Sequence, residues 1–372
     1  MAWAVLSAAQ SKHLRRADPP TCDILEQIDT GSGGRKVGIV IDASNSMEYN
    51  DPENLRLEAA HRLNIELVRA STAVGGQSPD LVSVVQFNDS ADLLYPLGDP
   101  SGASASILGI VPKGGTFIGR GVQTATDDLT KPGSGLTAGR TAIVVLTDGV
   151  DDPSSRVGTT ISEIRRASDL GIRISFGFLS VDATDQDPDI VSTVVASGGT
   201  FSILSDPDSI RRFVAQVFLK GLTATGLAGP TRLLPGITVA ATLPQTGAST
   251  FLYAARAGEA LNVSVRVTGG LSLRVVLRDA RTDVDLASAV TGDASIAVAQ
   301  YTAPSAMDIT ILVTATGAST QDIFYVAVES SVNLCDTSTT PTPTPTLTPT
   351  PGSPPLTPTT SYRHGGSSTH CK

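Results

Sequence analysis

Five oxygen-bearing side chains stand out by type and spacing: Asp42, Ser44 and Ser46 in an Asp-x-Ser-x-Ser turn, Thr116 in Gly114-Gly115-Thr116, and Asp148 in Thr147-Asp148-Gly149. Carboxylates and hydroxyls are donors for a hard divalent cation. Mg2+ takes near-octahedral oxygen coordination and keeps several of its waters, so hydroxyls bind it directly while carboxylates can hold it through those waters. The pattern predicts a Mg2+ site, with Mn2+ as a substitute and Ca2+ as an alternative. Taken alone, Asp-x-Ser-x-Ser in a Ser-rich chain reads equally as a strand followed by a polar turn. It is the three segments in this order that carry the expectation.

The elements that must position these residues are legible around them. The apolar run Val37-Gly-Ile-Val-Ile41 reads as a strand buried on both faces, ending at Asp42, and Thr141-Ala-Ile-Val-Val-Leu146 reads as a second strand, ending at Asp148. From residue 36 to about 221 strand and helix patterns alternate. Helices are expected from Asp51-Pro52-Glu53 onward, with Leu57, Ala60, Leu63, Leu67 and Val68 on the apolar face, and over 104–109, 120–129, 157–170, 188–196 and 207–219. Further strands are expected over 80–87, 91–95, 172–178 and 199–203. Such alternation implies a mostly parallel sheet covered on both faces, with ligands at the carboxyl ends of its strands.

The order strand-DxSxS, loop-GGT, strand-TDG resembles the metal-ion-dependent adhesion site of a von Willebrand factor type A domain. All five of its usual positions are matched, by Asp42, Ser44, Ser46, Thr116 and Asp148. The resemblance implies a Rossmann-like α/β fold in which the two serines and the threonine approach the metal and the two aspartates act largely through water. It also implies one open coordination position for an acidic side chain of a protein partner. The residue between the serines, often Gly in that family, is Asn45 here.

At 372 residues the chain exceeds one ordinary domain of about 100–200 residues, so two domains with appendages are expected. A formal net charge of -9 without a basic stripe speaks against nucleic acid. The expected divisions are a leader with a signal or pro-segment at 1–20, the A domain at 21–225, a Gly/Pro-punctuated linker at 226–236, an all-β sandwich at 237–334 and a disordered Thr/Pro-rich tail at 335–372. The sandwich follows from short alternating segments at 250–253, 260–267, 271–277, 295–298, 308–313 and 324–328. Its loose resemblance is to jelly-roll modules that follow secreted bacterial peptidases.

Both ends bear on location. The apolar start, with Ser7 and Ala9 placed for signal-peptidase cleavage, and the Thr/Pro repeat, suited to O-glycosylation, point to a secreted or cell-surface protein. No run approaches the roughly 20 apolar residues of a membrane span. The chain shows no apolar tail for a lipid anchor, so either release or an anchor beyond this chain is expected. Cys22, Cys335 and Cys371 are too few for a disulfide framework; a Cys22–Cys335 bridge and free thiols are both compatible with the spacing. Asn88-Asp-Ser90 and Asn262-Val-Ser264 are glycosylation sequons.

Other chemistries fit less well. His13, His61, His364 and His370 are the only histidines, and no Gly-x-Ser-x-Gly elbow accompanies them. The Gly114–Gly121 stretch has Arg120 and Gly121 where a phosphate loop needs Lys and Ser/Thr. The run Asp148, Asp151, Asp152 reads as a second cation site or as a solvated loop with an Asp cap for the helix at 157. No catalytic role is expected. The expected function is a secreted adhesion module that coordinates a partner's acidic residue; an intracellular scaffold for complex assembly or metal loading, and an accessory module of a secreted hydrolase, are the alternatives.

Overall fold

The run at 36–42 forms β1 (Lys36–Asp42), in which every residue is buried, as its Val/Ile content requires. The computed structural model describes residues 33–180, 186–222, 230–244, 247–267, 272–291, 296–317 and 322–332. The leader, the three cysteines and the Thr/Pro tail lie outside the described residues.

After β1 come α1 (Met47–Asn50), α2 (Leu55–Glu66), β2 (Leu81–Phe87), β3 (Ala91–Gly98), α3 (Ser104–Leu108), α4 (Ile118–Thr130), β4 (Thr141–Thr147), α5 (Val157–Asp169) and β5 (Ile172–Phe178). The first domain ends with α6 (Pro188–Ala196), β6 (Phe201–Ile203), α7 (Pro207–Gln216) and a π-helical turn over Val217–Gly221. β1 is parallel to β2 and to β4 on its two sides, β5 and β6 continue the parallel set, and β3 closes the edge antiparallel. Alternate residues of the central strands enter opposite cores. Ile39 and Ile41 pack with Leu57, Ala60, Leu63 and Phe213 of α2 and α7. Val40, Val85 and Val145 pack with Val122, Ala125, Ile164 and Val194 of α4, α5 and α6. Burial of each Val, Leu, Ile or Phe among them contributes about 1.5–3 kcal/mol.

α2 begins later than its sequence suggests. The Asp51 carboxylate accepts from the amides of Leu55 (2.6 Å) and Arg56 (3.1 Å), so it serves the helix start from outside, and the chain reaches Leu55 through Asn54 at φ 57°.

The β-rich region that follows comprises β7 (Thr231–Arg232), β8 (Thr238–Thr242), β9 (Ser249–Ala255), β10 (Ala260–Val267), β11 (Leu273–Asp279), β12 (Asp285–Val290), β13 (Ile296–Thr302), β14 (Met307–Ala315) and β15 (Ile323–Ser330). They form a β-sandwich. One sheet runs β12-β11-β14-β9-β7; the other, β13-β10-β15-β8, joins the first domain's sheet through a single antiparallel pairing of Ser202 with Val239. Phe251 and Phe324 meet edge to face across the layers, 6.0 Å between centroids.

Three strands escape the sequence pattern. β7 falls in the segment read as linker, whose Leu233 and Leu234 are buried. β8, Thr-Val-Ala-Ala-Thr, has buried residues at three successive positions because it lies inside the continuous sheet between β6 and β15, so it cannot show the two-residue alternation. β12 is an edge strand with little apolar content.

Candidate metal centre

Parallel register brings the chemistry together. Ile41 pairs with Leu146, so the next residues on the two strands, Asp42 and Thr147, leave the sheet side by side. Asp42 is fully buried. Its Oδ2 accepts from the Thr147 hydroxyl at 2.6 Å and its Oδ1 from the Ser44 amide at 2.7 Å. The hydroxyls of Ser44 and Ser46 lie 2.9 Å apart, and Ser46 donates to Asp148 Oδ1 at 3.0 Å. Since a hydroxyl has one proton, Ser46 accepts from Ser44 in this arrangement. Asn50 donates to the other Asp148 oxygen at 2.9 Å.

Thr116 reaches the site through its main chain. The Asn45 amide donates to the Gly114 carbonyl (3.0 Å) and the Lys113 amide to the Ala43 carbonyl (2.6 Å), lacing the two loops together. The Thr116 carbonyl accepts from the Asp152 amide (3.0 Å), tying it to the third loop, and Thr116 is buried. Glycine is required beside it. Gly114 has φ 77°, and a Cβ at Gly114 or Gly115 would stand 2.9 or 2.7 Å from a carboxylate oxygen of Asp89, which accepts from the Gly115 amide. Four of the five expected residues, Asp42, Ser44, Ser46 and Asp148, are thus linked by hydrogen bonds involving their side chains, and the fifth by its loop.

Burial pushes the Asp42 carboxyl up to about 7, against the Thr147 and Ser44 hydrogen bonds that favour its charge; the Asp148 carboxylate adds a smaller push in the same upward direction. The groups acting on this buried acid are hydroxyls, an amide and a second acid. Burying a carboxylate as an anion is costly without a countercharge, and a divalent cation among these hard oxygens would supply one. The donor set therefore fits Mg2+ or Mn2+.

Asp151 has a different task. Buried at 2% exposure, it accepts from the Ile118 amide at the start of α4 (2.7 Å) and from the Thr160 hydroxyl of α5. The expected Asp cap exists, but on α4 rather than on the helix at 157. Asp152 is exposed. Among the described residues no cluster of three or more His, Cys, Asp or Glu side chains is placed to hold a metal. Asn88 is buried, and its Oδ1 accepts from the Ser90 amide and hydroxyl. Asn262 is half-buried, and its Oδ1 accepts from Gln300.

Sequence reading missed Thr147, Asn50, Arg56 and Gln186. Arg56 is fully buried and donates to the Asp42 carbonyl (2.9 Å), and Gln186 donates to the Gly149 carbonyl (2.9 Å). Thr147 carried a signal, a hydroxyl at the end of the strand beside β1; an arginine on an otherwise amphipathic helix carried little.

The comparisons with known proteins bear on the first domain. Residues 37–150 match the sequence model of the von Willebrand factor type A domain. No curated protein matches the chain. Among solved structures, the chain is similar to a von Willebrand factor type A protein from Catenulispora acidiphila, at 18% identity and TM-score 0.39 over 80% of this chain and 58% of that one. It thus spans little more than half the length of that protein. It is also similar to an aerotolerance-related membrane protein from Bacteroides fragilis NCTC 9343, at 24% identity and TM-score 0.37 over 50% of this chain and 98% of that one. A third similarity is to the pre-peptidase C-terminal domain of collagenase from Bacillus anthracis, at 12% identity and TM-score 0.24 over 26% and 92%. These structural scores are low, and the identification rests on the sequence match together with the parallel sheet and its order of loops. Residues 37–150 of this chain form a von Willebrand factor type A domain.

Proposed function

We propose that the A domain is a secreted or surface-displayed protein-binding module that holds Mg2+ at Asp42, Ser44, Ser46, Thr116 and Asp148 and offers it to an acidic side chain of a partner, without turnover. The observation that carries this reading is Asp42: a fully buried acid, at the end of the central strand, surrounded by hydroxyls and a second acid. When bound, the cation would supply a Lewis-acid position for a carboxylate.

The chain's own residues do the rest. Thr147 and the Ser44 amide hold the Asp42 carboxylate in one orientation. Ser46 and Asn50 do the same for Asp148. Asn45 and Asn50 are exposed, so the site opens to solvent, and Tyr49 (78% exposed) and Val150 (41%) stand on two of the loops that surround it. Exposed apolar side chains beside a polar centre are the kind of surface that protein partners cover. Among the described residues no helix is long and apolar enough to cross a membrane. The extracellular setting is supported by the signal-like start and the Thr/Pro tail of the sequence.

The test offers immobilised full-length protein a displayed library of random peptides in Mg2+, with elution by chelator. Enriched sequences are expected to carry Asp or Glu, and the Asp42→Ala protein to enrich none. Enrichment indifferent both to chelator and to Asp42→Ala would overturn the reading.

A further inference from the structure

We infer that Arg56 is a positioning residue for the cation site, acting through the main chain of the turn that carries Asp42 and Ser44; the inference rests on the reading above. The polar main-chain groups of that turn are fixed one by one. The Ala43 amide donates to the Phe87 carbonyl (2.8 Å), the Ala43 carbonyl accepts from Lys113, the Ser44 amide donates to Asp42 Oδ1 and the Asn45 amide to the Gly114 carbonyl. The Asp42 carbonyl is held by a distant side chain, Nε of Arg56 at 2.9 Å, fourteen positions along the chain. Without that donor a buried carbonyl at the end of β1 loses its partner, and the peptide plane that follows Asp42 is held on one side alone, by the Ala43 amide on the Phe87 carbonyl.

The guanidinium is itself unusual. Arg56 is fully buried; Nη1 pairs with Asp51 Oδ2 at 2.7 Å and reaches Asn54 Oδ1 at 3.3 Å, whereas Nη2 is buried with no hydrogen-bond partner among the described residues. The first amides of α2 do not depend on this guanidinium, because Asp51 accepts from the Leu55 and Arg56 amides directly. Placement under Asp42 gives that arrangement a purpose: the fork joins the floor of the site to the start of α2.

The experiment is calorimetric titration of Mn2+ into chelator-treated full-length protein, at a temperature where circular dichroism shows every variant folded. The set is wild type, Arg56→Gln, Arg56→Lys and Asp51→Asn. Asp51→Asn removes the charge of the ion pair and weakens the helix start but takes away no atom of the Arg56 to Asp42 contact. Loss of an outer residue that orients a metal ligand typically weakens binding about 10–100-fold. That loss is expected in both Arg56 variants, with Asp51→Asn within about threefold of wild type, well short of it. Should Arg56→Gln fail to fold, Arg56→Lys, which keeps the charge but not the fork, is read alone. Wild-type affinity in an Arg56 variant, or an equal loss in Asp51→Asn, overturns the inference. Failure of the wild type to bind Mn2+ overturns the metal reading beneath it, and so separates the two.

Discussion

The Ser46 hydroxyl donates to the Asp148 carboxylate at 3.0 Å across 102 positions of sequence, joining the turn after β1 to the loop after β4. That contact closes a network running from Thr147 through Asp42, Ser44 and Ser46 to Asp148 and Asn50. The fold makes it available by placing two parallel strands in register and ending both at the same level.

Thr116 is the member whose side chain the network does not hold, and its contribution is the easiest to isolate. A ligand that binds only the folded state stabilises it by about 2.7 kcal/mol at a hundredfold excess over Kd. Mg2+ should therefore raise Tm in the wild type, and Thr116→Ala should abolish that rise while leaving Tm in chelator within a few degrees of wild type. An undiminished Mg2+ shift in Thr116→Ala would remove Thr116 from the site.

Stability should depend on pH in a direction set by Asp42. Its carboxyl is pushed up from 3.8 to about 7 by burial in the cation-free protein. The folded state then keeps a proton that the unfolded chain has lost, so stability falls as pH rises between about 4 and 7. Burial also pushes Asp151 up, and it acts in the same direction. Urea unfolding in chelator should show this decline in the wild type and a shallower one in Asp42→Asn; saturating Mg2+ should flatten the wild-type profile, since cation binding favours the carboxylate. Parallel profiles in the two proteins would show that Asp42 does not titrate in this window.

Asp151→Asn should separate helix anchoring from cation binding. The variant replaces one of two acceptor oxygens by an NH2 group, which cannot accept from both the Ile118 amide and the Thr160 hydroxyl as the carboxylate does. A loss of about 1–3 kcal/mol follows from the buried donor left without an acceptor. Cation stoichiometry should stay at about one per chain. A fall in stoichiometry would mean that Asp151 holds a second ion.

Close packing of α4 on the sheet predicts a cost for one methyl group. A Cβ at Gly121 would stand 2.6 Å from Val40 Cγ1 and 2.9 Å from Phe87 Cδ1. Gly121→Ala should destabilise by about 1–3 kcal/mol despite the better helix propensity of alanine. A neutral or stabilising result in urea unfolding would show that the helix can lift without penalty.

Much of this was legible in the sequence because the central strands are uniformly apolar and the site residues sit at their ends, where a change from Val/Ile to Asp and Ser is abrupt. Helix α6 (Pro188–Ala196) and strand β10 (Ala260–Val267) fall where their patterns place them. What stayed hidden depends on tertiary contacts. β8 has no alternation because it lies between β15 and β6 in one continuous sheet and is buried on both faces. Asp151 takes the first amide of α4 and a side-chain hydroxyl inside α5, rather than an amide at the start of α5, because the fold brings both helices to it. Arg56 looks like a solvated helix residue until Asp42 and Asp51 are seen to close over it.

The most direct measurement is calorimetric titration of Mg2+ and Mn2+ into chelator-treated full-length protein beside Asp42→Ala. The account predicts saturable binding near one ion per chain in the wild type and none in the variant. Absence of binding in the wild type would contradict it and leave the five residues as a hydrogen-bonded lock on the three loops.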